Sequence, residues 1–226
     1  MTQKAIILLS GGLDSAANLA FAAEYETPVL AITLDYGQRA VAQELRAARQ
    51  FCEYYGVTHR IIEIPWLGAL GGSSLTDLSQ KIPGIQSHQL EDSPITEHTA
   101  RAVWVPNRNG IFIHVAAAFA ERQDANRVIV GFNAEEAATF PDNSLNYLES
   151  VNQALFYSTS NHVKAFSYTA EWNKNRIVTE LRRLKTPFPF QMIWSCYEGR
   201  EQACETCESC QRLARALYTT EKNPGS

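Results

Sequence analysis

Two short runs of this sequence have the residue types and spacing to do chemistry. The first is Ser10-Gly11-Gly12-Leu13-Asp14-Ser15, which follows an apolar run and precedes an alanine-rich one. Glycine carries no Cβ, so backbone here can approach a ligand closely. A helix starting at this point adds unpaired N–H groups and the positive end of its dipole. The combination is an anion cradle of a size for pyrophosphate. It is not a Walker A loop, because no Gly-Lys-Ser/Thr follows. A tight strand-to-helix turn with Asp14 or Ser15 as the N-cap is the structural alternative. The second run is Cys196-x7-Cys204-x2-Cys207-x2-Cys210, which gathers all but one of the five cysteines. Four thiolates at such spacing can close a tetrahedral Zn²⁺ shell with no open position, which is a structural site. A redox pair, an iron–sulfur cluster or a nucleic-acid-binding ribbon would use similar spacing. The glutamate-rich stretch 197–209 around the cysteines speaks against a phosphate-backbone partner. The fifth cysteine, Cys52, lies on an apolar stripe and reads as core.

Something must hold these runs in place. Residues 4–9, 28–34, 58–64 and 127–130 are short apolar, β-branched runs of the kind buried in parallel sheets. Between them, residues 15–25, the stripe Val41, Leu45, Ala48, Cys52, Tyr55, and residues 111–122 have helical spacing. Gly56 closes the second of these helices. Strand and helix alternate, so the expected fold is an α/β doubly wound parallel sheet with a C-terminal zinc-binding segment, its ligands at the carboxyl ends of the strands. Further helices are expected over 143–157 and 172–184, the latter stopped by Thr186-Pro187-Phe188-Pro189. Residues 64–102 carry Gly-Gly-Ser-Ser, Pro-Gly and Ser-Pro turn signals without a persistent stripe, and read as a long loop, a lid or partner contact. The expected division is 1–190 for the nucleotide-binding domain, 191–217 for the zinc segment and 218–226 for a polar tail.

Composition narrows the function classes. The 226 residues are 45% hydrophobic and 19% charged, which suits one globular core and excludes low-complexity disorder. A net charge of −4 provides no overall field for nucleic acid or anionic lipid. No apolar run approaches the ~18–20 residues of a membrane span. The N-terminus reads as a strand, not as a signal peptide, and the cysteine usage suits a cytoplasmic metal site.

The Ser10–Ser15 run resembles the PP-loop of ATP pyrophosphatases. Together with the cysteines it resembles the 7-cyano-7-deazaguanine synthase family of queuosine biosynthesis. Further matches run in order along nearly the whole chain: Asp35-Tyr36-Gly37-Gln38-Arg39, Val105-Pro106-Asn107-Arg108-Asn109, Gly131-Phe132-Asn133-Ala134-Glu135-Glu136, Phe140-Pro141-Asp142, and Trp194-Ser195-Cys196-Tyr197-Glu198-Gly199. The family carries glycine where Asn107 stands, an Asp-Tyr-Ser stretch near residues 136–138, Cys-Arg where Asn143-Ser144 stand, and a Thr-Pro within 162–170 that this chain lacks.

The resemblance implies a reaction: ATP and ammonia convert the carboxylate of 7-carboxy-7-deazaguanine to a nitrile, through an acyl adenylate, an amide and a second adenylation. It implies ATP with Mg²⁺ bound by Leu9, Ser10, Gly11, Gly12, Leu13, Asp14, Ser15, Ala16, Ala17 and Asp35. Catalysis falls to Asp14 (a helix cap or Mg²⁺ contact), Arg108 and Lys174, the last two being solvated surface charges on the bland reading. Asn133, Glu135 and Asp142 would read the deazaguanine edge, with helix capping an equal account of Asp142. Zn²⁺ would sit on Cys196, Cys204, Cys207 and Cys210. The partners implied are small molecules, with no nucleic acid or membrane, and a homodimer. Rival readings are a PP-loop enzyme amidating or thiolating another substrate, and a non-catalytic zinc-containing regulator.

Overall fold

A computed structural model describes residues 3–222. Its strands are β1 Lys4–Leu8, β2 Thr27–Asp35, β3 His59–Glu63, β4 Arg127–Ile129 and β5 Lys164–Phe166. Its helices are α1 Leu13–Tyr25, α2 Val41–Tyr55, α3 Pro65–Gly68, α4 Ser93–Ala102, α5 Arg108–Arg122, α6 Ala134–Ala137, α7 Leu145–Ser158, α8 Lys174–Leu181 and α9 Glu208–Lys222. The strands form one parallel sheet in the order β3-β2-β1-β4-β5. The chain winds outward from β1 in one direction and then, from β4, in the other. The turns leaving β1 and β4 therefore diverge, and a crevice opens between them at the carboxyl ends.

Side-chain alternation along the strands builds the three layers. Ile6, Ile32 and Val128 face α5 and α7, meeting Ile113, Ala117 and Val151. Ala5, Ile7, Ala31 and Ile129 face the other way, onto α1, α2, α8 and α9 through Leu19, Phe51, Ile177 and Ala216. Both faces of the central strand are covered, which is why residues 4–9 read as a continuous apolar run. Gly56, at φ +67, closes α2 as its position suggests.

The structure departs from the sequence reading in three places. The segment between β3 and α5 is not one loop: it contains α3, a short 3₁₀ turn at Ser87–Gln89, and α4. Asp92 caps α4 by accepting the Ile95 N–H at 3.3 Å, and Pro94 sits in its first turn. The buried face of α4 is Thr96, Thr99 and Ala100, too polar to register as an apolar stripe. β5 is three residues long and was not foreseen. Lys174 opens α8, but a further helix, α9, follows it and reaches Lys222, beyond the point where a tail was expected. Residues 223–226 of that tail lie outside the described residues. No helix among the described residues is long and apolar enough to cross a membrane.

Candidate active site and cysteine cluster

The turn between β1 and α1 is shaped by its glycines in different ways. Gly11 adopts φ +83, and a Cβ there would lie 2.6 Å from the Ala47 Cβ on α2. It is needed for the bend and for packing, not for ligand approach. Gly12 is the N-cap of α1, in extended conformation and without a side-chain cap. Neither Asp14 nor Ser15 caps the helix; Ser15 instead braces the turn, its Oγ accepting from the Ser10 N–H and donating to the Gly12 carbonyl, both at 3.2 Å. The first-turn N–H groups of α1 therefore have no side-chain cap. Gly131, leaving β4, lies flat on this turn: a Cβ there would come within 2.5 Å of the Ser15 nitrogen.

Beside the turn is a buried charge cluster. Lys174, 3% exposed, donates its Nζ to Asp14 Oδ2 at 2.6 Å and to Glu136 Oε1 at 2.9 Å. The pair of carboxylates holds the ammonium charged and pushes its pKa well above the ordinary lysine range against the cost of burial. Burial pushes Asp14 up to about 6 even though Lys174 pulls the other way. The remaining oxygen, Asp14 Oδ1, is buried with no hydrogen-bond partner. Two carboxylates against one ammonium, with one oxygen unclaimed, is a donor set that fits a hard divalent cation such as Mg²⁺.

Asp14 and Glu136 line a cavity of about 210 Å³ in the crevice, with the Lys174 ammonium held behind them. Leu9, Ser10, Gly12, Leu13, Asp14, Ser15 and Glu136 contribute to it from the β1, α1 and α6 side. Tyr36, Gln38, Glu44 and Arg108 form a polar wall, and Phe112, Phe132, Phe140 and Trp194 supply flat apolar faces. Arg108 donates to the Tyr36 hydroxyl at 3.4 Å, and Gln38 donates to Glu44 Oε2 at 2.8 Å. Asn107, just before α5, has φ +52. The glycine that the family pattern places here and the asparagine found in this chain are the residue types that accept this conformation.

Several of the expected site residues lie elsewhere. Ala16 and Ala17 are fully buried core residues of α1. Asp35 is spent on the following turn, its Oδ1 accepting the Gly37 N–H at 3.0 Å. Asn133 is buried and caps α6, accepting the Glu136 N–H at 3.0 Å. Glu135 accepts from the Lys174 main-chain N–H at 2.9 Å, from Arg212 at 2.8 Å and from Arg215 at 2.6 Å. It is the next residue, Glu136, that lines the cavity. In the 3₁₀ turn Pro141–Asn143, Asn143 lines the cavity and Asp142 does not. Tyr36, Gln38 and Glu44 also escaped the sequence reading as wall residues, although the first two lie in the Asp35–Arg39 motif.

The four clustered cysteines converge, their Sγ atoms all within 4.8 Å of one another. Tetrahedral Zn²⁺ with ~2.3 Å bonds places sulfurs ~3.8 Å apart, and Cys204 and Cys210 stand at 4.0 Å. Main-chain N–H groups of Glu198 and Cys204 point at Cys196 Sγ, at 3.4 and 3.3 Å, and that of Cys207 at Cys204 Sγ, at 3.3 Å. Such donors stabilise thiolates. Hydrogen bonds from Cys207 and Cys210 hold Cys196 down to about 2, and the same bond to Cys196 pushes Cys207 up to about 12. Sulfurs that must share protons in this way fit a thiophilic dication, which replaces those protons. Cys52 is remote from them in the α2 core, its thiol pushed up to about 12 by burial.

Comparison with known proteins gives the family. A relative from Desulforamulus reducens named 7-cyano-7-deazaguanine synthase is 45% identical over 218 residues, 96% of this chain and 95% of its own. Relatives of the same name from Methanosarcina barkeri and Bdellovibrio bacteriovorus are 47% and 46% identical over 225 and 216 residues, covering 98% and 95% of this chain and 95% and 93% of their own. A family model described as "Queuosine biosynthesis protein QueC" matches residues 4–221, and the chain belongs to that family.

Proposed function

We propose that the chain is a 7-cyano-7-deazaguanine synthase, using ATP and ammonia to turn the carboxylate of 7-carboxy-7-deazaguanine into a nitrile. One observation carries the reading: the crevice unites an uncapped helix N-terminus, a buried Asp14–Lys174–Glu136 cluster and an aromatic-walled cavity. A carboxylate oxygen does not leave as oxide, so it must first be adenylated. Its attack on the α-phosphate of ATP releases pyrophosphate, and the charge developing there meets the N–H groups of the Gly12–Ser15 turn and the Lys174 ammonium. Ammonia then displaces AMP from the acyl adenylate, giving the amide and a proton. Adenylation of the amide oxygen and loss of AMP and a proton leave the nitrile. No protein nucleophile is consumed.

Arg108 stands on the polar wall where phosphate charge and the substrate carboxylate would meet it, and the flat faces of Phe112 and Phe140 suit a bicyclic base. Asp14 Oδ1 would hold Mg²⁺, which when bound neutralises phosphate charge. The cysteine cluster would hold Zn²⁺ without an open position, so it serves structure. Sulfur transfer is the weaker reading. It needs a cysteine able to carry sulfur, whereas the four clustered cysteines converge on one point and Cys52 is buried with a strongly raised pKa.

The test is turnover with 7-carboxy-7-deazaguanine, ammonium and ATP, following AMP, pyrophosphate and the nitrile together. The expected result is AMP and pyrophosphate in equal amounts, at twice the nitrile formed. Absence of substrate-dependent AMP release would refute the proposal.

A further inference from the structure

The arginines of α9 take no part in the adenylation chemistry, yet they are aimed at its site. Arg212 is 6% exposed and lies within one helical turn of the clustered Cys210. Its NH1 reaches Glu135 Oε2 at 2.8 Å, and its Nε donates to Glu208 Oε1 at 2.9 Å. Arg215, one turn further, donates NH2 to the same Glu135 oxygen at 2.6 Å and NH1 to Glu91 at 2.6 Å. Glu208 is fixed in turn by the Thr99 hydroxyl on α4. The other Glu135 oxygen accepts the Lys174 main-chain N–H at 2.9 Å. That N–H is the first of α8 and has no partner within its own helix.

A single carboxylate therefore spans two elements. On one side it grips the helix that begins in the cysteine cluster; on the other, the residue whose Nζ sits between Asp14 and Glu136. Its chain neighbour is Glu136 itself, on a helix of four residues that cannot hold its own orientation. α6 and the head of α8 thus take their positions from α9.

We propose that Arg212 and Arg215 are positioning residues, acting through Glu135 to place Lys174 and Glu136 for the adenylation steps. The inference rests on the reading of Lys174 as the phosphate-facing ammonium. It gives the cysteine-bearing segment a second role, which is to hold the geometry of a crevice that its own arginines do not line. The Glu135 and Glu208 carboxylates are set against the two guanidiniums along the link, so the burial of each charge is compensated.

The experiment uses the full-length, metal-loaded protein with Glu135→Gln, Arg212→Gln, Arg215→Gln and Arg215→Lys. Glutamine at 135 still accepts the Lys174 N–H but turns an NH₂ group toward the arginines, so it breaks the link while keeping size. The expected result for Glu135→Gln is unchanged metal content and a fall in kcat of about 10-fold or more, with KM for 7-carboxy-7-deazaguanine unaltered. Arg215→Lys should recover most of what Arg215→Gln loses. The double variant Glu135→Gln/Arg212→Gln should lose no more than the worse of its two singles, since both break one link.

Amide hydrogen exchange supplies a readout independent of turnover. Exchange should rise at residues 133–137 and 173–176 in Glu135→Gln and Arg212→Gln while the sheet keeps its protection. Wild-type kcat in Glu135→Gln, or unchanged exchange in those two segments, overturns the inference. If the parent protein makes no AMP from this substrate, the proposed function falls instead, and exchange alone then decides whether α9 positions the two segments.

Discussion

Asp14 has one carboxylate oxygen on Lys174 and the other buried without a partner. Burial lifts its pKa to about 6, and Lys174 keeps it from rising further. Below that pH it takes up a proton, losing its charge toward the ammonium and toward any cation at Oδ1. The profile of kcat/KM against pH, which reports the free enzyme, should therefore fall on the acid side with a midpoint near 6, and Asp14→Asn should be slow at every pH without that limb. A wild-type profile flat from about pH 5 to 7 would contradict this. Stability runs the opposite way. The folded pKa lies above the ordinary aspartate value of 3.8, so the contribution of this group is fully present below that value and is lost as pH rises through about 6. A carboxylate charge at this position is kept against a stability cost.

Two adjacent glycines in the β1–α1 turn do unlike jobs, and substitution should separate them. At Gly11 an alanine meets both an unfavourable φ of +83 and the Ala47 methyl at 2.6 Å. Gly11→Ala should lose about 1–3 kcal/mol in urea denaturation. At Gly12, with φ −73, the nearest atom to a new Cβ is Ser10 Oγ at 3.5 Å, an ordinary contact. Gly12→Ala should stay within about 1 kcal/mol of the parent yet lose turnover, because the methyl intrudes where Gly12 lines the cavity. Equal denaturation midpoints for the two variants would show that the bend is not strained by a side chain. Asn107 makes a similar point before α5: a left-handed position at a helix start is met by a different residue of the same tolerance.

For the molecule as a whole, the cysteine segment is a clasp over parts distant in sequence. The Trp194 main-chain N–H donates to the Gly11 carbonyl at 2.9 Å, tying the segment to the β1–α1 turn. The Ile85 N–H donates to the Thr206 carbonyl at 2.8 Å, with a bridge between Gly84 and Cys207 alongside. α9 completes the core against α8 through Ala216 and Leu213. Removing a metal held by the four cysteines would therefore loosen the turn, the 82–86 segment and α9 together. Chelation is expected to lower Tm by at least about 5 °C and to reduce turnover well below that temperature. Zn²⁺ should restore both and Mg²⁺ neither, since only the former suits four sulfurs. Cys204→Ser should lose the metal and behave as the chelated protein; a scan that chelation does not move would show the clasp needs no ion.

Short-range sterics and periodicity encode part of this molecule outright. The Ser10–Ser15 turn is legible because strand, glycines and helix start are contiguous. The four cysteines are legible because their ligand spacing is local, and the parallel sheet because β1 and β2 are apolar runs separated by a helix. The rest waits on packing. Glu135 and Glu136 are adjacent and chemically alike, but on α6 their side chains diverge by ~100°, so one meets Arg212 and Arg215 and the other meets Lys174 at the cavity. Nothing local distinguishes them, because the choice depends on where α8 and α9 pack. β5 holds its three residues only as a neighbour of β4, and α4 buries threonines only because Glu208 and its surroundings receive them. Each of these outcomes is set by a partner far along the chain, which no window of the sequence contains.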